Sequence, residues 1–263
     1  GKRALITGAS RGIGRAIAET LAAEGVHLGI CARTAEGLHA AADELRRHGV
    51  TVVAEAVDVG KRDDYLAWIA RAGEQLGGID IFVSNTSGGA APGEQGFVQN
   101  FEVDMLGAVR GFEAARPFLE KSEAPAVLFI STTAAVETFG QPNGYGAMKA
   151  ALINYANALS QAYASKGIRV NVVSPGPIYF EGGPWAMIRQ AMPAFYEATL
   201  KPTSPPSPPP KPANSRPPAS PPNTSHSPSA PSLPSVASTP PSNRLRNLRN
   251  IQTALQRHHP TLG

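Results

Sequence analysis

The sequence predicts an α/β fold, a doubly wound parallel sheet of six strands with helices on both faces. Two observations predict it. Short apolar runs alternate with helical patterns through residues 1–200, which is typical of parallel sheets whose two faces are both covered. A glycine-rich turn also joins the first apolar run to the first helical pattern, as doubly wound folds require. Six strands joined by five crossover connections therefore define the expected domain.

Each element follows from its own pattern. The strands are apolar runs, predicted over Arg3–Thr7, Val26–Ala32, Thr51–Val57, Ile79–Ser84, Ala126–Ser131 and Arg169–Ser174. Helical patterns lie between them, at about residues 12–24, 35–48, 62–76, 97–120 and 144–166. A further helix is predicted over about residues 184–200, after the sixth strand.

The composition changes near residue 200. Of the 25 prolines, 17 lie in residues 201–263, and this segment contains no acidic and no aromatic residue. It carries seven of the 24 Lys and Arg residues, so residues 1–200 have a net charge of −3. We therefore predict a folded domain, residues 1–200, and a Pro/Ser-rich basic tail, residues 201–263, that is disordered. Within the tail, residues 243–257 could form a short basic helix.

Charge, cysteine and histidine content argue against several classes of protein. The basic balance comes from the tail, so it gives no reason to expect that the folded domain binds nucleic acid. Cys31 is the single cysteine, which rules out a disulfide framework and favours a reducing, intracellular setting. With no apolar run of about 18 residues and no hydrophobic leader, we expect a cytoplasmic protein without a membrane partner. His27, His39 and His48 lack metal-ligand partners, so no metal site is predicted.

The turn after the first strand has the composition of a phosphate-binding loop. It reads Thr7-Gly8-Ala9-Ser10-Arg11-Gly12-Ile13-Gly14. Glycines let the backbone turn tightly and approach a pyrophosphate, while the following helix offers N–H groups and a positive dipole. The position of the loop, at the first strand–helix junction, favours a Rossmann-like dinucleotide site over a purely structural turn.

The end of the second strand bears on which dinucleotide binds. A carboxylate there would accept the ribose hydroxyls of NAD, but the strand ends in Arg33. An arginine can pair with a 2′-phosphate, a contact worth about 1.5–3 kcal/mol. Arg33, with Arg11 as a second candidate, therefore predicts NADP(H) as the cofactor. The alternative for Arg33 is a solvated surface arginine.

Tyr145 and Lys149 form a candidate acid–base pair. They are four residues apart in the fifth helical pattern, so they lie on one helix face. A free tyrosine has a pKa near 10, and an adjacent ammonium lowers that pKa by stabilising the phenolate. Tyr145 could then donate a proton to a carbonyl oxygen during reduction, or remove an alcohol proton during oxidation.

With these motifs in order, residues 1–200 resemble the short-chain dehydrogenase/reductase family. The carriers of the resemblance are the Thr-Gly-x-x-x-Gly-x-Gly turn, the Tyr-x-x-x-Lys pair and three further segments, Asp58-Val59, Asn85 and Pro175-Gly176. The resemblance implies an oxidoreductase that transfers hydride between a nicotinamide and a carbonyl or alcohol. It assigns Asp58 and Val59 to the adenine and Pro175 and Gly176 to the nicotinamide, and it lets Lys149 hold the nicotinamide ribose.

Other family positions are filled less regularly. The hydroxyl residue thirteen positions before the tyrosine is Thr132, which would orient the substrate oxygen, and Ser131 is the alternative. The family's helix asparagine is replaced by Asp104, whose backbone carbonyl could still hold a water near Lys149. The threonine that often binds the carboxamide is absent, and the backbone of Ile178 could take its place.

The C-terminal part departs from the family. Members continue with a helix and a seventh strand, whereas residues 201–263 show neither pattern. A tail rich in Pro, Ser and Arg is typical of a GC-rich coding sequence read out of frame. We therefore favour a frameshift or a recording error near residue 201 over a natural Pro-rich segment that recruits partners.

The sequence thus predicts an NADP(H)-dependent carbonyl reductase or alcohol dehydrogenase. An apolar wall, expected from Phe180, Trp185, Met187, Met192, Phe195 and Tyr196, indicates an apolar small-molecule substrate. The resemblance also allows a homo-oligomer, which the missing C-terminal elements would weaken. The rival is a catalytically impaired cofactor-binding protein with a Pro-rich interaction tail, which Asp104 and the lost seventh strand favour.

Overall fold

The structure is a computed structural model that describes residues 1–137 and 141–200. Its six strands are β1 (Arg3–Thr7), β2 (His27–Ala32), β3 (Val52–Ala56), β4 (Ile81–Ser84), β5 (Ala126–Ile130) and β6 (Arg169–Val173). All pair in parallel, in the order β3-β2-β1-β4-β5-β6. The predicted doubly wound, Rossmann-like sheet of six strands is confirmed. The tail, residues 201–263, and with it the predicted disorder and the short basic helix, lie outside the described residues.

Eight α-helices in the described part of the chain connect and extend these strands. They are α1 (Gly12–Ala23), α2 (Ala35–Arg46), α3 (Arg62–Gln75), α4 (Gly93–Asn100), α5 (Gly107–Leu119), α6 (Gly144–Ala162), α7 (Pro184–Ala191) and α8 (Pro193–Leu200). Short 3₁₀ turns lie at Thr133–Ala135 and Ala164–Lys166. No helix of these ranges is long and apolar enough to cross a bilayer.

Two predicted helices differ from the structure. The single helix expected at 97–120 is instead α4, a π-helical segment at Phe101–Leu106, and α5. Such π-helical segments occur often at functional sites, and this one carries Asp104. The single helix expected at 184–200 is divided into α7 and α8 at Met192 (φ −140°, ψ 64°), because Pro193 lacks an N–H and excludes the preceding residue from helical geometry.

The sheet separates two apolar layers. Alternate residues of β1 serve opposite layers: Leu5 packs with Trp68, Phe82 and Phe112, while Ile6 packs on the other face. Each of these fully buried side chains stabilises the fold by about 1.5–3 kcal/mol. Both faces of the sheet are therefore apolar, which explains why the strands read as continuous apolar runs.

A charged pair joins β1 to the chain segment that leads into β4. Asp80 accepts hydrogen bonds from the Arg3 backbone N at 2.8 Å and from the Arg3 Nε at 2.9 Å. Burial alone would raise the pKa of Asp80, but the hydrogen bonds from Arg3 and Ser122 and the Arg3 charge outweigh it and lower that pKa to about 2. The pair therefore joins the amino ends of β1 and β4, the two neighbouring strands between which the strand order reverses, on the edge of the sheet opposite their carboxyl ends.

Candidate active site

One large cleft, of about 1530 Å³, opens at the carboxyl ends of the strands. The structure brings nearly all of the predicted site residues to its walls: Gly8, Ser10, Arg11, Gly12, Ile13, Arg33, Asp58, Val59, Asn85, Thr132, Tyr145, Lys149, Pro175, Gly176 and Ile178. Gly14 and Asp104 are the two that do not line it, and both are buried directly behind residues that do. Six loops that follow six different strands thus converge on one site.

The glycine-rich loop is shaped by glycines that no other residue could replace without movement. Gly8 and Gly12 adopt φ values of +68° and +58°. A Cβ on Gly14 would lie 2.3 Å from the Gly8 carbonyl oxygen and 2.4 Å from the Asn85 Nδ2. Helix α1 starts at Gly12 with no side-chain cap and no acidic residue in its first turn. Its N–H groups and dipole are therefore suited to an anion such as a pyrophosphate.

Asn85 ties the end of β4 to the end of β1. Its side-chain amide donates to the carbonyl oxygens of Thr7 at 3.1 Å and Gly8 at 3.0 Å. Its backbone N–H donates to the Thr7 hydroxyl at 3.0 Å. Asn85 therefore fixes the Thr7 and Gly8 carbonyl groups, where the glycine-rich loop begins, and so holds the loop that would bind the dinucleotide.

The end of the cleft beside β2 and β3 carries a positive charge at Arg33, where the sequence analysis placed it. Arg33 is exposed at the carboxyl end of β2 and lines the cleft with no carboxylate on the same strand end. Asp58, after β3, accepts a hydrogen bond from the Gly60 N–H at 3.0 Å, which holds the turn. Arg11 donates from its guanidinium to the Gly182 carbonyl at 2.9 Å, so part of its hydrogen-bonding capacity serves the loop after β6.

Thr132, after β5, and Tyr145, in α6, face each other across the opposite end of the cleft. Burial raises the pKa of Tyr145; the Thr132 hydroxyl acts in the opposite direction, and the negative charge of Asp104 raises the pKa further. The Ser131 hydroxyl instead donates to the Lys149 carbonyl at 3.0 Å and is buried. Of the two hydroxyl residues considered from the sequence, Thr132 is therefore the one whose hydroxyl lies beside Tyr145.

Lys149 is held by the protein from several directions. Its Nζ donates to the Ile130 carbonyl at 2.8 Å and to the Thr86 carbonyl at 3.3 Å. It also lies 3.0 Å from the Asp104 Oδ1, with both side chains almost fully buried. This last contact has ion-pair distance but not hydrogen-bond alignment, so Oδ1 has no hydrogen-bond donor among the described residues. Removing one partner of such a buried pair typically costs about 3–5 kcal/mol.

The side chain of Asp104 has a role that sequence reasoning did not predict. The sequence indicated that the backbone carbonyl could hold a water near Lys149, which stays a prediction, and the structure adds that the carboxylate itself pairs with the ammonium. The other oxygen, Oδ2, accepts from the Gly88 N–H at 2.8 Å and from the Asn100 Nδ2 at 2.9 Å. Asn100 was missed in the sequence, where its spacing of four residues from Asp104 was the available signal.

Apolar side chains from α7, α8 and the chain beside them close one end of the cleft. Phe180, Trp185, Met192 and Phe195 line the cleft as predicted, and Trp185 stacks on Phe195 with ring centroids 6.4 Å apart. Met187 and Tyr196 lie outside its lining, and Met187 is exposed because it faces away on α7. No group of three metal-ligating side chains is found in the residues that the structure describes.

Comparison with known proteins agrees with this geometry. The family model of the short chain dehydrogenases matches residues 2–182. The isoepoxydon dehydrogenase of Penicillium expansum is 33% identical over 204 residues, which are 75% of this chain and 78% of the relative. The L-sorbose reductase of Gluconobacter frateurii, solved with NADPH and L-sorbose, is 30% identical with a TM-score of 0.69 over 76% of this chain and 79% of that one.

The chain therefore belongs to the short-chain dehydrogenase family of oxidoreductases. A more distant structure, the carveol dehydrogenase of Mycobacterium avium in complex with NAD, shares the fold at 24% identity, with a TM-score of 0.67 over 74% of this chain and 77% of that one. The same fold thus occurs in structures with NADPH and with NAD.

Proposed function

We propose that this protein is an NADP(H)-dependent oxidoreductase that interconverts a carbonyl and a secondary alcohol. The observation that carries the proposal is the meeting of Tyr145, Thr132 and the glycine-rich loop in one cleft. A proton donor and a dinucleotide cradle are the two parts that such a reaction needs.

The residues at the cleft fit a bound dinucleotide. The open N-terminus of α1 and the cradle of Gly8, Gly12 and Gly14 would hold the pyrophosphate, with Ser10 and Ile13 beside it. Asp58 and Val59 would contact the adenine, and Pro175, Gly176 and Ile178 the nicotinamide. When bound, the cofactor would supply the hydride that reaches the carbonyl carbon.

The proton that accompanies the hydride would be transferred by side chains of the protein itself. In reduction, Tyr145 gives its phenolic proton to the carbonyl oxygen, which becomes the alcohol oxygen. In oxidation the same proton returns to a Tyr145 phenolate. Thr132 would orient the substrate oxygen by hydrogen bonding, and Lys149 would hold the nicotinamide ribose with its ammonium group.

Arg33 supports NADP(H) over NAD(H). It is exposed at the end of β2, on the wall of the cleft, with Arg11 nearby on the same wall. A carboxylate would repel a 2′-phosphate, whereas a guanidinium pairs with it.

The wall of Phe180, Trp185, Met192 and Phe195 supports an apolar small-molecule substrate. Relatives that act on small carbonyl or hydroxyl compounds, such as the L-sorbose reductase, support a substrate of small-molecule size. We further propose a cytoplasmic protein without a nucleic-acid or membrane partner, able to form a homo-oligomer.

A second candidate is a cofactor-binding protein with impaired catalysis. The observation that favours it is the buried pairing of Lys149 with Asp104 and two carbonyl groups, which leaves its ammonium little capacity to bond a ribose. In this case the Pro-rich segment 201–263 would recruit partners. The family match ends at residue 182, before that segment. Resequencing the coding DNA around codon 201 tests directly whether the segment arose from a frameshift.

The test is depletion of NADPH and NADH against a panel of apolar ketones and aldehydes, with cofactor binding measured separately by calorimetry. Turnover of at least one carbonyl with NADPH, and tighter binding of NADPH than NADH, are expected. Cofactor binding without turnover of any carbonyl would favour the second candidate. Equal binding of the two cofactors would contradict the NADP(H) assignment.

A further inference from the structure

We propose that Asp104 is a positioning residue that neutralises the catalytic centre and thereby keeps Tyr145 in its proton-donating form, which favours carbonyl reduction. This inference rests on the proposed function, because it assumes that Tyr145 is the proton donor. It goes beyond that function by assigning a charge role to the buried carboxylate and a preferred direction to the reaction.

The position of the carboxylate is fixed by the protein. Asp104 lies in the π-helical segment, where Asn100 and the Gly88 N–H both donate to its Oδ2. Its other oxygen lies 3.0 Å from the Lys149 Nζ, and the side chains of Asp104 and Lys149 are 0% and 3% exposed. The buried Asn100 amide, the half-buried Gly88 N–H and the buried Lys149 ammonium therefore hold the carboxylate in its place beside Lys149.

Among residues 1–137 and 141–200, two charged side chains are close to Tyr145. From its own helix, α6, comes the positive charge of Lys149; from the π-helical segment comes the negative charge of Asp104. The contacts from α4, from the loop after β4 and from β5 are neutral: the Asn100 amide, the backbone at Thr86 and Gly88, and the Ile130 carbonyl.

Other charged groups near the centre are paired or distant. Glu102, in the same π-helical segment as Asp104, pairs with Arg110 at 2.8 Å. Glu137 lines the cleft but is exposed to solvent, so water screens its charge. Arg11, Arg33 and Asp58 belong to the end of the cleft formed by the glycine-rich loop and strands β2 and β3. The centre around Tyr145 is therefore neutral overall.

Neutrality decides which form of Tyr145 is stable. An unpaired ammonium beside a phenol stabilises the phenolate, but a carboxylate in contact with the ammonium opposes that effect. Consistent with this, burial and the Asp104 charge both raise the pKa of Tyr145, with the Thr132 hydroxyl opposing them. Giving a proton to a carbonyl oxygen requires the phenol, whereas accepting a proton from an alcohol requires the phenolate. Reduction is therefore supported through neutral and moderately alkaline pH.

The test is a direct titration of the Tyr145 phenol in the cofactor-free protein. Tyrosines are isotope-labelled at the ring carbon that bears the oxygen, and the Tyr145 resonance is assigned by its loss in Tyr145→Phe. In the parent we expect ionisation at or above the ordinary value of about 10. Asp104→Asn, which keeps the shape and removes the charge, should lower the midpoint by about one pH unit or more. Glu102→Gln removes a charge from the same segment and should leave the midpoint unchanged.

The outcomes are distinguishable. A parent midpoint below about 10 overturns the proposal, and so does an Asp104→Asn midpoint equal to that of Glu102→Gln. If thermal unfolding shows that Asp104→Asn does not fold, Asp104→Ser, which also removes the charge, is titrated in its place and is held to the same outcomes. In an active enzyme, Asp104→Asn should also move the alkaline limb of the reduction profile to lower pH. Absence of turnover with every carbonyl would refute the proposed function. The titration needs no turnover, so it would still test whether the Asp104 charge keeps Tyr145 protonated.

Discussion

The two halves of the cleft are built in different ways. The half formed by β1, β2 and β3 is made of backbone: glycines with positive φ, an open helix N-terminus and a loop whose carbonyl groups are fixed by Asn85. The half formed by β4, β5, α4 and α6 is made of buried side chains, with Lys149 and Asp104 at its centre. The first half takes its shape mainly from local backbone geometry, with Asn85 as a contact from a distant segment, whereas the second is built almost wholly from contacts between distant segments.

The largest expected effect lies in the side-chain half. Tyr145→Phe keeps the ring and removes only the transferable proton, so we expect turnover to fall about 10²–10⁴-fold. NADPH affinity should stay within a few-fold, because the backbone half is untouched. Steady-state rates and calorimetric titration with NADPH measure the two quantities. Retention of more than about a tenth of the rate would mean that another group supplies the proton.

The backbone half is broken by adding a single carbon. A Cβ on Gly14 would meet the Gly8 carbonyl oxygen at 2.3 Å, so Gly14→Ala must displace the loop. Overpacking of this kind costs about 1–3 kcal/mol, which predicts about a 5- to 150-fold loss of NADPH affinity. Ala158→Ser is the control, since it adds one heavy atom to an exposed residue of α6 that does not line the cleft. Equal NADPH affinity of the two variants, measured by calorimetry, would contradict the cradle described for Gly14.

The contrast between the halves also explains what sequence could predict. The glycine-rich turn and the Tyr145–Lys149 spacing are local patterns, and the structure brings the residues of both to one cleft. The Asp104 side chain could not be placed, because its partners come from α6, α4 and the loop after β4. The break at Met192 was likewise missed, although Pro193 was visible as its cause.

Cofactor choice tests a single side chain of the backbone half. Arg33→Asp replaces a group that pairs with a 2′-phosphate by one that repels it. The lost contact is worth about 1.5–3 kcal/mol, so the preference for NADPH should fall by about 10- to 100-fold or reverse. Lys121→Asp makes the same charge change on an exposed residue between α5 and β5 and should leave the preference intact. An unchanged ratio of the two dissociation constants in Arg33→Asp would identify Arg33 as a solvated arginine.

The Arg3–Asp80 pair lies outside both halves, at the amino ends of β1 and β4, and we expect it to make the stability of the protein depend on pH. The pKa of Asp80 is about 2 in the folded protein, against about 3.9 in an unfolded chain. Because the folded value is the lower one, the stabilisation is complete above about pH 5 and is lost as pH falls toward 2, by about 2 kcal/mol in all. Asp80→Asn should therefore lose stability at neutral pH, and its deficit relative to the parent should shrink on acidification. Denaturant unfolding across this pH range measures the free energy of unfolding of both proteins.

Asp63→Asn is the control for this comparison, because it removes an exposed carboxylate, and its free energy of unfolding should follow that of the parent. An Asp80→Asn deficit that stays constant with pH would contradict the pairing of Asp80 with Arg3.

The smallest effect is expected outside both halves. Residues 201–263 contain no aromatic residue and 17 prolines, so ordering them would cost about 1–2 kcal/mol per residue with little apolar area gained in return. A chain that ends at Leu200 should therefore melt within a few degrees of the full protein, and its NADPH affinity should be unchanged. Differential scanning calorimetry and the same binding titration make the comparison. A fall in melting temperature much larger than a few degrees would show that the segment packs on the domain, and it would argue against a frameshift as the origin of the tail.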